Sequence, residues 1–204
     1  MRKILGIILF INFLKASLIP YTSSAQITEV KGNYVTLSNN IGINGVSGAV
    51  IRNMQDGNKI IVSYVKQISP NRAKIIDFMP LNAKSLAKFK DAAKVNDSVI
   101  GGLLYDKVMV LAKNKQDFLD IQSSFGIDSI NPDTFITYLA TKNKNSYDYN
   151  DLNRFGKLYG VGIFVIEKNG FLEVVDTISK DVINRVKYSA TKGEIKPFFN
   201  NLNN

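Results

Sequence analysis

Between Ile27 and Pro80 short alternating runs are cut apart by turn residues, and that pattern leaves few folds open. "ITEVKGNYVTLS" alternates on both sides of Lys31-Gly32-Asn33, a compact hairpin signal. "SGAVIRN", "NKIIVSYVKQI" and "RAKIIDFMP" follow, bounded by Asp56-Gly57 and Pro70-Asn71. Five short strands in about 55 residues predict a small barrel or a strongly curled sheet. Gly42, Gly45 and Gly48 form a GxxGxxG run, but a β-branched strand follows it. A phosphate cradle needs a helix opening behind the glycines, so bends in a tight barrel explain the run better.

The second half changes period. "AKSLAKFKDAAK", residues 83–94, places Leu86, Phe89 and Ala93 at helical spacing, with Lys84, Lys88, Lys90 and Lys94 along its other side. It is read as a helix bridging two halves, and its lysine face as a candidate protein-docking surface. "DSVIGGLL" and "KVMVLA" are expected to pair as a hairpin across Tyr105-Asp106. Three helices are predicted next. Asn114 caps "KQDFLDIQSSF", which Gly126 ends; Asn131-Pro132-Asp133 opens "DTFITYLATK"; a third starts near Asp148 to Asn150 and ends at Gly160.

The stretch "GKLYGVGIFVIEKNGFLEVVD" contains Gly160 and Gly162. In a dinucleotide fingerprint the glycines follow a strand and open a helix. Here a helix precedes them and a strand follows, so no phosphate loop is expected. Asn169-Gly170 is a strong type I′ hairpin signal, and "VINRVKY" adds a third strand to an antiparallel meander.

The N-terminus carries an address. Met1-Arg2-Lys3 precedes an apolar run from Ile4 to Leu14, with small residues at Ser23 and Ala25. This is the composition of a secretory signal peptide cleaved after Ala25; cleavage after Ala16 and an uncleaved anchor are the alternatives. The run is too short for a spanning helix of about 20 residues, so no transmembrane segment is expected in the mature chain. The absence of cysteine removes the lipid-attachment site. Losing residues 1–25 takes Arg2, Lys3 and Lys15 and no acid, lowering the net charge from +9 to +6. About 179 residues remain, enough for one domain or two small ones. The lysines are dispersed and no arginine cluster exists, so nucleic acid is not expected as a partner.

With no cysteine and no histidine, the chain has no thiolate chemistry, no Ser-His triad and no imidazole metal site. Catalysis would rest on carboxylates, lysine or tyrosine with displaced pKa values. Asp117, Asp120 and Asp128 form one acidic group, and Asp148 and Asp151, with Tyr147 and Tyr149, another. Paired carboxylates serve glycosidases and calcium sites, yet these lie where helix starts favour acids. Ser85 and Lys88 have Ser-x-x-Lys spacing around apolar Leu86 and Ala87. No enzyme and no cofactor is expected.

The fold class read from these patterns is α+β: a small β-barrel-like half followed by an α/β half with a C-terminal antiparallel β-meander. The divisions are a signal peptide at 1–25, a β-rich part at 26–82, the bridging helix at 83–94, the α/β part at 95–197 and a flexible tail at 198–204.

Several segments together, "VNDSVIGGLLYDKVMVLAKNKQDFLDIQ", "INPDTFITYL", "LYGVGIFVIEKNGFLEVVDTISKDVI" and "KPFFN", resemble the N-terminal domain of the plasminogen-binding surface proteins of certain spiral Gram-negative bacteria. The resemblance runs from about Ile43 to Leu202. It implies an exported, non-enzymatic protein of the periplasm or outer cell surface with a protein partner, host plasminogen. In that family a charged tail ending in lysine follows this domain, and kringle modules hold such a lysine together with a carboxylate. This sequence stops at Asn204 with its last lysine at Lys196, so plasminogen capture is expected to fall to internal lysines beside acids, such as Lys90 with Asp91 or Lys180 with Asp181. A fold-level similarity of the helix–glycine–strand–strand pattern to periplasmic assembly modules of flagellar and secretion machinery implies an alternative: a scaffold or accessory component of an envelope machine such as the flagellar motor.

Overall fold

The computed structural model describes residues 17–76 and 93–189. Six strands, β1 (Ser24–Lys31), β2 (Tyr34–Leu37), β3 (Ser47–Asn53), β4 (Lys59–Ser69), β5 (Arg72–Ile76) and β6 (Ser98–Gly101), close into a barrel in the order β1-β2-β5-β4-β3-β6. Every neighbouring pair is antiparallel. The expected alternation is present: Ala25 and Ile27 are buried while Ser24, Gln26 and Thr28 are exposed. The interior is filled by Ala25, Ile27, Val35, Leu37, Val65 and Val99 with their neighbours. These side chains are small or branched, which suits the narrow space inside a short barrel. The glycine run does what a tight barrel needs: a Cβ built on Gly48 would sit 2.8 Å from Ile41 Cδ1 and 2.9 Å from Val99 Cγ1.

Two sequence expectations change here. The predicted β6 hairpin does not form. β6 pairs with β1 and β3 and closes the barrel, so the boundary drawn at residue 95 falls inside the barrel. Alternation identifies a strand but not its partner; β6 finds open edges on both flanks, whereas the following strand joins another sheet. The boundary at Ala25 also falls inside the fold, because β1 begins at Ser24 and Leu18 is buried.

The bridging helix, with Lys84, Lys88 and Lys90, lies outside the described residues apart from its last two. Ala93 and Lys94 are not helical. Ala93 is part of the barrel core, and the Lys94 amide donates to Asp97 Oδ2 at 2.7 Å. Asp97 also takes the two-pronged Arg52 guanidinium at 2.9 and 2.8 Å, which fixes the entry into β6.

The second sheet has the order β10-β9-β8-β7, from β7 (Val108–Leu111), β8 (Ile163–Lys168), β9 (Phe171–Asp176) and β10 (Val182–Lys187). β7 and β8 run parallel, joined through α1 (Lys115–Phe125), α2 (Asp133–Thr141) and α3 (Tyr149–Tyr159); β8, β9 and β10 form the predicted antiparallel meander. Both faces of this sheet are covered. Val108, Val110, Val165 and Val174 face α1 through Phe118 and Ile121. Met109, Leu111, Phe164 and Val175 face α2 and α3 through Phe135, Leu139, Leu152 and Phe155. A sheet buried on both sides needs apolar residues at consecutive positions, which is why β7 and β8 read as unbroken apolar runs.

The helix ends follow their caps. Asn114 accepts from the Asp117 amide at 2.9 Å, and Asp148 with Asp151 forms a capping box at α3. The second helix starts one residue later than the Asn131 cap implies: Pro132 takes the cap position, while Asn131 Oδ1 still accepts from the Asp133 amide at 2.9 Å. Gly162 is not conformationally special. It is there because the backbone of Leu104 passes so close that an added Cβ would lie 2.2 Å from the Leu104 carbonyl oxygen. At the meander turn, Asn169 and Gly170 have φ of 51° and 77°, the left-handed pair a type I′ turn requires.

Candidate protein-binding surface

Among the described residues, several buried carboxylates hold the fold together. Asp176, at the end of β9, is fully buried between the two halves. Its Oδ2 accepts from the Ser47 amide at 2.7 Å and from the Tyr105 hydroxyl at 2.5 Å. Its Oδ1 accepts from the Ile178 and Ser179 amides, both at 2.8 Å. Burial first, and then the neighbouring carboxylate, push the Tyr105 phenol far above its ordinary pKa, so it stays protonated and donates. A carboxylate with all four donors in place is a clasp joining barrel, turn and sheet. The sequence reading missed Asp176; its only local signal is an aspartate two and three residues before amides that need an acceptor.

Four of the five aspartates in the two acidic groups are also committed to local structure. Asp117 is buried, taking Asn114 Nδ2 and the Tyr188 hydroxyl, while Asp120 takes Gln116 Nε2 at 2.8 Å. The Tyr188 phenol is held above its usual range by burial and by Asp117. Asp128 is exposed. Asp151 is bound by Lys144 Nζ at 2.7 Å, and Asp148 caps the helix. Among the described residues no group of three or more potential metal ligands is present. A groove of about 460 Å³ beside the β1–β6 seam has a mixed lining that includes Gln26, Asn39, Asn53, Lys59, Ile51 and Ile100. It offers neutral donors and acceptors and one charge.

Of the four lysines selected from sequence, only Lys94 is described; it is exposed at the end of the barrel segment. The pair Lys180–Asp181 is split by the fold: Asp181 binds Lys66 Nζ at 2.9 Å, while Lys180 Nζ donates to Asn150 Oδ1 at 3.1 Å. The Lys180 ammonium and the Asp181 carboxylate are therefore engaged with different partners.

Lys180 instead extends a basic face on α3. Asn150, Arg154 and Lys157 recur at helical spacing, and Arg154 is exposed. Lys157 has its pKa lowered, first by burial and then by the Lys180 charge, which places the two ammonium groups in one field. One turn on from Arg154 stands Leu158, 60% exposed; Tyr159, 50% exposed, lies on the other side of the helix, stacked on the buried Phe155 at 4.4 Å between ring centroids. Cations with an exposed leucine among them make this face a candidate protein-docking patch for an acidic surface. Sequence reasoning passed over this face because Lys180 is remote from α3 along the chain.

A model of the family described as "Plasminogen-binding protein pgbA N-terminal" matches residues 22–204. No curated protein and no solved structure matches this chain.

Proposed function

The chain belongs to the plasminogen-binding protein pgbA N-terminal family, and from that premise we propose that it is an exported, non-enzymatic envelope or surface protein acting through protein–protein contact. The match over residues 22–204 carries the reading, since it covers barrel and sheet alike. Plasminogen is the partner that the family's name provides. Among the described residues no helix is long and apolar enough to cross a membrane, which agrees with a role carried by the folded domain. The commitment of Asp117, Asp151 and Asp176 to structural hydrogen bonds supports a non-enzymatic role. The docking face is the α3 surface of Arg154, Lys157 and Leu158 with Lys180 beside it, and its occupant an acidic surface of the protein partner.

Purified protein starting at Ser17 tests this directly. Immobilised, it is expected to retain plasminogen, with retention reduced by a lysine analogue and by the Arg154→Glu/Lys157→Glu pair. No retention by the parent chain overturns plasminogen as the partner. On intact cells, external protease is expected to degrade the protein; protection in intact cells with loss after outer-membrane permeabilisation transfers the reading to a periplasmic scaffold.

A further inference from the structure

The segment just before β1 is built into the fold. Leu18 is 3% exposed, packed in the core with Val46, Val108 and Ile183. Its carbonyl accepts from Asn184 Nδ2 at 2.8 Å, tying it to β10. The Ser23 amide donates to the Ile41 carbonyl at 3.1 Å, and the Ser23 carbonyl accepts from the Gly101 amide at 3.0 Å. Ser23 Oγ donates to the Asn40 carbonyl at 2.5 Å, and the Ser24 carbonyl accepts from Asn39 Nδ2 at 2.8 Å. β1 then meets β6 through three residue pairs, Ser24 with Ile100, Ala25 with Val99 and Gln26 with Ser98. The Ala25 side chain, 6% exposed, lies in the barrel core.

We infer that the export leader is removed between Ala16 and Ser17, and that residues 17–25 are retained as the strap that closes the barrel and joins it to the second sheet. The inference rests on the export reading and refines it. A cut after Ala25 would delete two of the three pairs that seal β1 to β6, together with the buried Leu18 anchor. It would also set a new ammonium at Gln26, whose amide donates to Ser38 Oγ at 3.0 Å inside the seam. A cut after Ala16 removes none of these contacts. It follows the apolar run Ile4–Leu14 by two residues and has a small residue, Ala16, immediately before the cut, with Leu14 at the third position back. The reaction is hydrolysis: one water is consumed, Ala16 leaves as a carboxylate and Ser17 becomes the amino terminus. The family match also begins at Thr22, on the leader side of Ala25.

The test is N-terminal sequencing and intact mass of the full chain expressed in, and exported by, a Gram-negative host. The expected terminus is Ser-Leu-Ile-Pro-Tyr. A terminus at Gln26 overturns the inference and leaves export standing; retention of Met1 overturns both. Ala16→Phe is expected to accumulate precursor, and unchanged processing of that variant counts against the Ala16 junction. As a second measurement, proteins starting at Ser17 and at Gln26 are compared by thermal unfolding. The shorter one is expected to melt lower by about 10 °C or to lose its cooperative transition, given about 2–4 °C per kcal/mol at this size. Coincident midpoints overturn the structural role of the strap.

Discussion

Replacing Asp176 by Asn keeps the shape of the side chain and reverses the hydrogen bonding at one of its two positions. With the amide oxygen at the Oδ1 position, the Ile178 and Ser179 amides keep an acceptor. The NH₂ group then faces the Ser47 amide and the Tyr105 hydroxyl, which in the parent lie 2.7 and 2.5 Å from Oδ2. The phenol can turn its proton away and accept; the Ser47 amide is main chain within β3 and cannot. Two charge-assisted bonds of about 1.5–3 kcal/mol each are lost, partly recovered at Tyr105, with one buried donor stranded, so the expected destabilisation is about 2–5 kcal/mol. Urea unfolding at neutral pH reads this as a midpoint lowered by about 1–2 M for a slope of 1–3 kcal/mol/M. Tyr105→Phe alone should cost less, because Oδ2 keeps the Ser47 amide. The double variant should depart from additivity by about 0.5–3 kcal/mol, since both changes act on one oxygen. An Asp176→Asn midpoint within error of the parent, or an additive cycle, refutes the clasp.

Gly162→Ala is expected to destabilise by about 1–3 kcal/mol in the same assay, because the new methyl meets the Leu104 main chain rather than a side chain that can move aside. Gly170→Val should cost about 1–2 kcal/mol, the penalty of a β-branched residue at φ 77°; an unchanged melting midpoint contradicts the turn. Asp148 has its pKa lowered from 3.8, first by accepting from the Asp151 amide, so its capping contribution is complete above the ordinary carboxylate pKa and disappears as pH falls through the depressed folded value. NMR titration should show this depression, with the Asn150 and Asp151 amides tracking it; Asp148→Asn, which still caps, should abolish the amide response.

Strands, helices and turns were largely legible in the chain because each is specified by neighbours in sequence. Alternation marked β1 to β5, Asn114 and Asp148 marked helix starts, and Asn169-Gly170 marked the meander turn. The same locality explains the failures. "DSVIGG" declares a strand, but whether it pairs forward with β7 or back with β1 and β3 depends on which edges are open once the barrel has curled. Asp176 was not singled out at the end of its apolar strand, and the gathering of Lys180 onto the α3 face had no trace in spacing.

The chain by itself determined the class of fold, an α+β protein with a barrel-like half and a meander, and excluded thiol and imidazole chemistry by composition. Local spacing specifies backbone conformation through caps, turns and side-chain period, and these act over a few residues. Barrel closure by β6, the Leu18 strap, the Asp176 clasp and the basic face of α3 depended on contacts between distant segments. Such contacts form only when burial has brought the segments together, so only the tertiary structure decided them.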